Sequence, residues 1–240
     1  MRHDPKQNPK HHIIITAKKG KGKHLLQVLG KPLISYPLEA ARASTTATTL
    51  TLWSDCHQML SEALERQIRA LPRPTYTCTA DSPHIDIILH AIRAQEIDPY
   101  DIVTVLLGNT VHIDGKLIDQ CFDIVASDGQ GTDSVLTAWK AQDDHPFRAL
   151  SLQNGYVYSY GQKPADTTTN RQSYPDVYYY DQGCWTFRAY CAFEKAGPSP
   201  WIWLGTKCRL VERLWVTGRD VHGEIDVLAS EMYLLNHDRI

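Results

Sequence analysis

The chain has 240 residues, with 25 Lys and Arg against 27 Asp and Glu, a formal net charge of −2, and 42% hydrophobic and 22% charged residues. That balance excludes a protein that coats polyanions through a bulk positive field, so any phosphate site must be local; it also excludes disorder as the main state, since a chain of this length buries roughly 70–75% of its unfolded surface. No apolar run approaches the ~18 residues of a spanning helix, and the chain is expected to be soluble and cytoplasmic, with no membrane or nucleic-acid partner.

In chain order, the first eleven residues are polar and carry two prolines. They read as a flexible leader, with His11 and His12 solvated and a single domain over residues 12–240. Short β-branched runs predict strands at Ile13–Ala17, Thr49–Ser54, Asp101–Leu107 and Asp133–Trp139. Apolar spacing between them predicts helices at Lys31–Ser44, Gln58–Ala70, Ile85–Glu96 and Lys116–Ser127, with a last one at Glu224–Asn236. This alternation predicts a doubly wound α/β fold with a mostly parallel sheet and a ligand crevice at the carboxyl ends of its strands. After Leu150 the texture becomes Tyr-, Thr- and Gly-rich, which predicts an irregular β-rich insertion containing a loop from Gly161 to Asn170. Six dispersed cysteines without a CxxC pair read as reduced thiols.

Directly after the first strand stands Lys18-Lys19-Gly20-Lys21-Gly22-Lys23-His24. Glycines let backbone N–H groups approach an anion, and ammonium groups neutralise a polyphosphate, so the stretch suits a nucleoside triphosphate. It is neither a Walker A sequence nor GxGxxG, because Leu25 stands where the third glycine would be. A solvated basic turn is the alternative.

The next segment, Leu29-Gly30-Lys31-Pro32-Leu33-Ile34-Ser35-Tyr36, resembles the GKPLI(A/S)Y stretch of the cytidylyltransferases that make CMP-activated sugars, the CMP-acylneuraminate synthetases and their relatives for Kdo and similar acids. Trp53-Ser54-Asp55, Asp133-Ser134-Val135, His145-Pro146-Phe147, and Arg171-Gln172 with Tyr178 to Gly183 follow in that family's order, so the resemblance spans about Ile13 to Leu235. It implies a three-layer, nucleotide-diphospho-sugar transferase-like fold. The implied reaction is metal-dependent transfer of CMP from CTP to a small anionic acceptor, a nonulosonic or ulosonic acid, with release of pyrophosphate. It also implies a homodimer joined through residues 155–205, above all Tyr174 to Trp203.

Carried over residue by residue, the resemblance assigns the nucleotide to Ala17, Lys18, Lys19, Gly20, Lys21, Lys23, Ser54, Asp55, Asp81 and Asn109, with Lys19 the one turned toward solvent. Lys18, Lys23 and Asp220 are the candidate catalytic groups. Asn109, Arg171, Gln172, Tyr179, Asp181 and Arg219 are the acceptor candidates, Arg171 because a guanidinium matches a carboxylate or phosphonate bidentately; a surface ion pair is its alternative. Near the end of the chain, Asp220 and His222 stand where the family has an Asp-x-Asp pair for a divalent ion, Mg²⁺ or Mn²⁺. Residues i and i+2 of an extended segment point the same way, and Asp226 is a possible further ligand or a helix-capping acid. Trp201, Trp203 and Trp215 read as core or subunit interface.

Several departures from the family pattern matter. Lys18 replaces an Arg, His24 an Asn and His222 the second Asp, and the segment Gly108 to Asp114 lacks the family's Gln and Arg. Imidazole is a poor ligand for Mg²⁺ and a better one for Mn²⁺. These differences leave two alternatives, a phosphonate acceptor or a catalytically silent nucleotide-binding relative.

Overall fold

Isoleucines 13, 14 and 15 are fully buried because β1 (His11–Ala17) is the inner strand of a sheet with helices on both faces. A computed structural model describes residues 9–127 and 131–237. Alternate side chains of β1 serve opposite layers: Ile13 and Ile15 enter one core and Ile14 the other. After a 3₁₀ turn at Lys23–Leu25 come β2 (Gln27–Val28), β3 (Lys31–Pro32), α1 (Ser35–Ala43), β4 (Thr49–Ser54), α2 (His57–Glu65), β5 (Arg69–Pro72), α3 (His84–Ala94), β6 (Ile102–Leu107) and α4 (Gly115–Ser127). They are followed by β7 (Ser134–Lys140), β8 (Leu150–Gln153), β9 (Tyr156–Ser159), β10 (Tyr178–Arg188), α5 (Tyr190–Glu194), β11 (Cys208–Arg213) and α6 (Glu224–His237).

Among the described residues the main sheet has seven strands in the order β11-β7-β10-β6-β1-β4-β5, and only β10 runs antiparallel to its neighbours. Helices α1, α2 and α4 cover one face, while α3 and α5 cover the other. The three-layer, mostly parallel fold expected from the sequence is therefore present. The chain winds outward from β1 to β4 and β5, then returns to place β6 on the other side of β1. In such sheets the crevice opens at this reversal, beyond the carboxyl ends of β1 and its neighbour.

Several expected boundaries shift for local reasons. The first helix starts at Ser35, not Lys31, because Leu29 and Gly30 take positive φ (46° and 77°) and fold Lys31–Pro32 back onto Gln27–Val28 as a small hairpin. The second helix ends at Glu65 rather than Ala70. Gln67 sits in the left-handed region (φ 58°), Ile68 N–H donates to Ala63 O and Gln67 N–H to Leu64 O, a Schellman close built on a glutamine. The residues beyond it become the edge strand β5.

His11 and His12 are buried in β1 and are not solvated leader residues; residues 1–8 of the expected leader lie outside the described residues. The His11 ring stacks on Phe122 and shares hydrogen bonds with Thr46 (2.8 Å) and Thr104 (2.8 Å). Within Tyr174 to Trp203, β10 lies inside the sheet between β7 and β6, and Trp203 is core. What stands off the sheet is the β8–β9 hairpin, turned by Asn154 and Gly155 at positive φ. It leaves Leu152, Tyr156 and Val157 more than 60% exposed. No helix among the described residues is long and apolar enough to cross a membrane.

Burial pushes the His11 imidazole down to about 4, against the weaker pull of Asp119. The unfolded chain therefore takes up this proton first, so the stability His11 supports is complete above its ordinary value of 6.5 and is lost as pH falls from there toward 4. Urea unfolding is expected to cost roughly 2 kcal/mol less at pH 4.5 than at pH 7.5 through this group, and His11→Gln should flatten that part of the profile. An unchanged slope in the variant would contradict it.

Candidate active site

At the carboxyl end of β1 the chain leaves the sheet at buried Ala17 and turns through Gly20 and Gly22, whose φ values of 40° and 80° suit glycine. Two neighbours fix this loop. Asp55, just after β4, accepts from the Lys19 backbone N–H (2.6 Å), and the Lys18 ammonium donates to Thr79 O (3.0 Å). Lys19, Gly20 and Lys21 are exposed, whereas Lys23 is half-buried. Burial lowers the Lys23 pKa, Asp220 raises it and Lys18 lowers it further. Gly108 packs against Ala17 and His24, and its neighbour Asn109 bonds Asp220, so the first loop and the distant Asp220 segment border the same crevice.

Asp220 is held by the turn that follows β6. The Asn109 amide nitrogen donates to Asp220 Oδ2 (2.6 Å) and to Val221 O (3.1 Å), while Val221 N–H donates to Asn109 O (2.9 Å). Asn109 is only 3% exposed, so its amide faces Asp220 and not a nucleotide or acceptor. His222 Nε2 lies 3.0 Å from the same Asp220 oxygen. Asp220 and His222 thus lie side by side at the crevice.

Asp226 is not part of that pair. Its carboxylate accepts from the backbone N–H groups of His222 (2.9 Å) and Gly223 (3.2 Å), capping the first turn of α6. Among the described residues no three His, Cys, Asp or Glu side chains converge as a metal cluster. Arg219 sits 53% exposed over the Trp215 ring and 3.9 Å from Asp226.

Other expected residues sit elsewhere. Ser54 is fully buried, where its hydroxyl accepts from Cys56 N–H (3.1 Å) at the start of α2. Asp81 is exposed on the turn before α3. Arg171 and Gln172 line a separate cavity of about 210 Å³ with Lys140, His145 and Tyr174, and Arg171 pairs with Asp143 (3.0 Å). None of Lys18, Lys23 and Asp220 lines that cavity. The Tyr179 ring packs on Trp139 and its hydroxyl donates to Asp144 O (2.9 Å).

Asp181 is a buried structural carboxylate. It accepts from Arg213 Nη1 (2.9 Å), Gly183 N–H (2.7 Å) and the Thr137 hydroxyl, and burial pushes its pKa up against these partners. Arg213 also donates to His112 O, so the pair ties β10 and β11 to the loop after β6.

Sequence reasoning missed one group at this crevice. Arg73 follows β5 and is 7% exposed; its Nε and Nη2 donate to Thr77 O (3.2 and 2.9 Å). Burial lowers its pKa, and Asp55 and Cys78 raise it. His84, hydrogen-bonded to Thr16 (3.0 Å), is pushed down to about 3 by burial and by the charges of Arg73 and Lys18. Arg73, Lys18 and Asp55 thus share one neighbourhood. Recognising β5 as a strand would have exposed Arg73 as the residue at its carboxyl end.

No family model matches the chain. A pseudaminic acid cytidylyltransferase and UDP-2,4-diacetamido-2,4,6-trideoxy-β-L-altropyranose hydrolase of Helicobacter pylori is 22% identical over 184 residues, 76% of this chain and 34% of that protein. The chain therefore spans about a third of that relative's length. Among solved structures, a CMP:2-keto-3-deoxy-manno-octonic acid synthetase complexed with CTP matches 96% of this chain and all of its own, with TM-score 0.67 and 16% identity. The 4-diphosphocytidyl-2C-methyl-D-erythritol synthase of Anaerococcus prevotii covers 95% of this chain and 97% of its own, with TM-score 0.66 and 18% identity. The fold is the one these solved enzymes share, as expected from the sequence. The proteins found to be similar are cytidylyltransferases, the kind of enzyme that the motifs resemble.

Because Asp181 and Arg213 compensate one another inside the protein, removing one partner leaves a buried charge. Arg213→Met is expected to destabilise the fold by about 3–5 kcal/mol, and Arg171→Ala by about 1 kcal/mol or less, as read by urea unfolding. Equal effects would refute the distinction drawn between these two pairs.

Proposed function

We propose that the protein is a cytidylyltransferase that moves CMP from CTP to a small anionic acceptor, a nonulosonic or ulosonic acid, and releases pyrophosphate. The observation that carries this reading is that the lysine loop after β1 and Asp220, held by Asn109 after β6, stand at the one crevice where the sheet reverses, with Asp220 close enough to Lys23 to bear on its charge. A triphosphate placed there has cations on one side and a carboxylate able to share a divalent ion with it on the other.

The donor set fits such an ion. Asp220 supplies carboxylate oxygen and His222 an imidazole, a mixed pair better suited to Mn²⁺ than to Mg²⁺, with phosphate oxygens left to complete the shell. Once bound, the ion supplies charge neutralisation on the phosphates. Asp226 is committed to its helix cap and is not proposed as a ligand.

The chain's own residues do the remaining work. Asp55 and Thr79 hold the lysine loop in place, Lys18 and Lys23 bind phosphate oxygens, and buried Arg73 adds positive charge beneath them. The acceptor oxygen, a hydroxyl or acid oxygen, attacks the α-phosphorus while pyrophosphate leaves. Catalysis here is positioning and charge stabilisation in a partly dry crevice. An acceptor site built on Arg219 beside Asp220 fits the geometry better than one built on Arg171.

A phosphonate acceptor is the second reading. A side chain at Gly108, where the family carries Gln, would place its Cβ 2.8 Å from Ala17, His24 and Ile34 atoms, and the Asn109 amide is turned inward, so this segment offers an acceptor no side-chain amide. Two copies are proposed to associate through the exposed apolar β8–β9 hairpin.

With CTP, Mn²⁺ and an acid-sugar acceptor, pyrophosphate release is expected, and Lys23→Ala or Asp220→Ala should lower kcat/KM by about 100-fold or more. Full activity in both variants would remove the site assignment, and turnover on phosphonates alone would replace the acceptor. Light scattering should give a dimer that Leu152→Glu with Val157→Lys converts to a monomer; a dimer that survives both changes places the interface elsewhere.

A further inference from the structure

Beyond that reading, and resting on its assignment of the ion to Asp220, we propose that Asn109 is a positioning residue that decides which oxygen of Asp220 faces the metal. Both partners of the Asn109 amide nitrogen, Asp220 Oδ2 and Val221 O, are pure acceptors, so the orientation of the amide is fixed by chemistry. His222 Nε2 meets the same Oδ2. Among the described residues the Asn109 hydrogen bond and the His222 approach to the carboxylate both fall on Oδ2, which leaves Oδ1 as the oxygen that turns to a cation.

Asn109 is itself held rigidly. Gly108 N–H donates to Thr16 O (3.0 Å), the Thr110 hydroxyl donates to Leu107 O (2.7 Å), and Val221 N–H closes on Asn109 O. The position of the amide is therefore inherited from the pairing of β6 with β1, and the metal acid on an irregular segment takes its geometry from the most buried part of the sheet. A carboxylate ligand whose other oxygen is pinned by a buried donor loses rotational freedom before the ion arrives, which strengthens binding. His222, 66% exposed, cannot impose that restraint alone.

Asn109→Leu keeps the side chain's approximate volume and removes the donor, whereas Asn109→Ala removes both. In calorimetric titrations of Mn²⁺ into protein saturated with CTP and lacking acceptor, both variants are expected to bind Mn²⁺ about 10-fold or more weakly. Their kcat should fall while KM for CTP stays near that of the unaltered protein. If volume alone mattered, Asn109→Leu would bind Mn²⁺ normally, and that result overturns the proposal. Should either variant fail to fold, the unaltered protein still decides: the ¹⁵N side-chain amide resonance of Asn109 should shift on Mg²⁺ addition with CTP present, and a fixed resonance at Mg²⁺ saturation contradicts the proposal. Asp220→Ala separates the two levels. Unchanged metal binding there sinks the proposed function itself, while lost binding there with normal binding in both Asn109 variants sinks only this inference.

Discussion

The reversal of strand order at β1 is the constraint on which the site depends. With β4 on one side and β6 on the other, the loops leaving β1 and β6 diverge and leave a crevice between them. The approach is close: Gly108 packs against Ala17, His24 and Ile34 with no room for a side chain. That closeness brings the lysine loop and Asn109 to the same rim, and Asn109 in turn draws in Asp220 and Val221 from the far end of the chain.

The near-neutral total charge conceals a segregation. Lysines 18 to 23 stand on one wall and Asp220 on the other, and burial of Lys23 raises the cost of leaving its ammonium unpaired. Between these walls a polyanion and a divalent cation would each find a partner already in place. Exclusion of water strengthens such interactions well beyond their value at the surface, where pairs such as Arg171–Asp143 contribute little.

Much of the fold was legible in the sequence, and the failures have local causes. The strand Thr49–Ser54 and the helices at α3 and α4 carry strong periodicity, and the structure places them where that periodicity indicated. The end of α2 was hidden because a glutamine, not a glycine, takes the left-handed capping position, and β5 with Arg73 was hidden with it. β10 was not resolved as a strand of the main sheet, because its tyrosine-rich first half is mostly only half-buried and lacks the apolar run of its second half, Gly183 to Phe187, which is core. At the site, the run of lysines and glycines marked the first loop, and the family resemblance singled out Asp220 and His222, two residues apart. The sequence could not reveal that Asp181 pairs with Arg213 or that Asn109 turns to Asp220, since these depend on contacts between distant segments, whereas the Asp226 cap is local and was one of the two readings of that acid.

The phosphates of CTP are proposed to lie between Lys23 and Asp220. A crystal structure of the protein with CTP and Mn²⁺ tests it most directly. Triphosphate density is expected within hydrogen-bonding reach of the Lys18 and Lys23 ammonium groups, with the ion on Asp220. Nucleotide bound instead in the cavity of Arg171 and Tyr174, or phosphates directed away from Lys23, would contradict it.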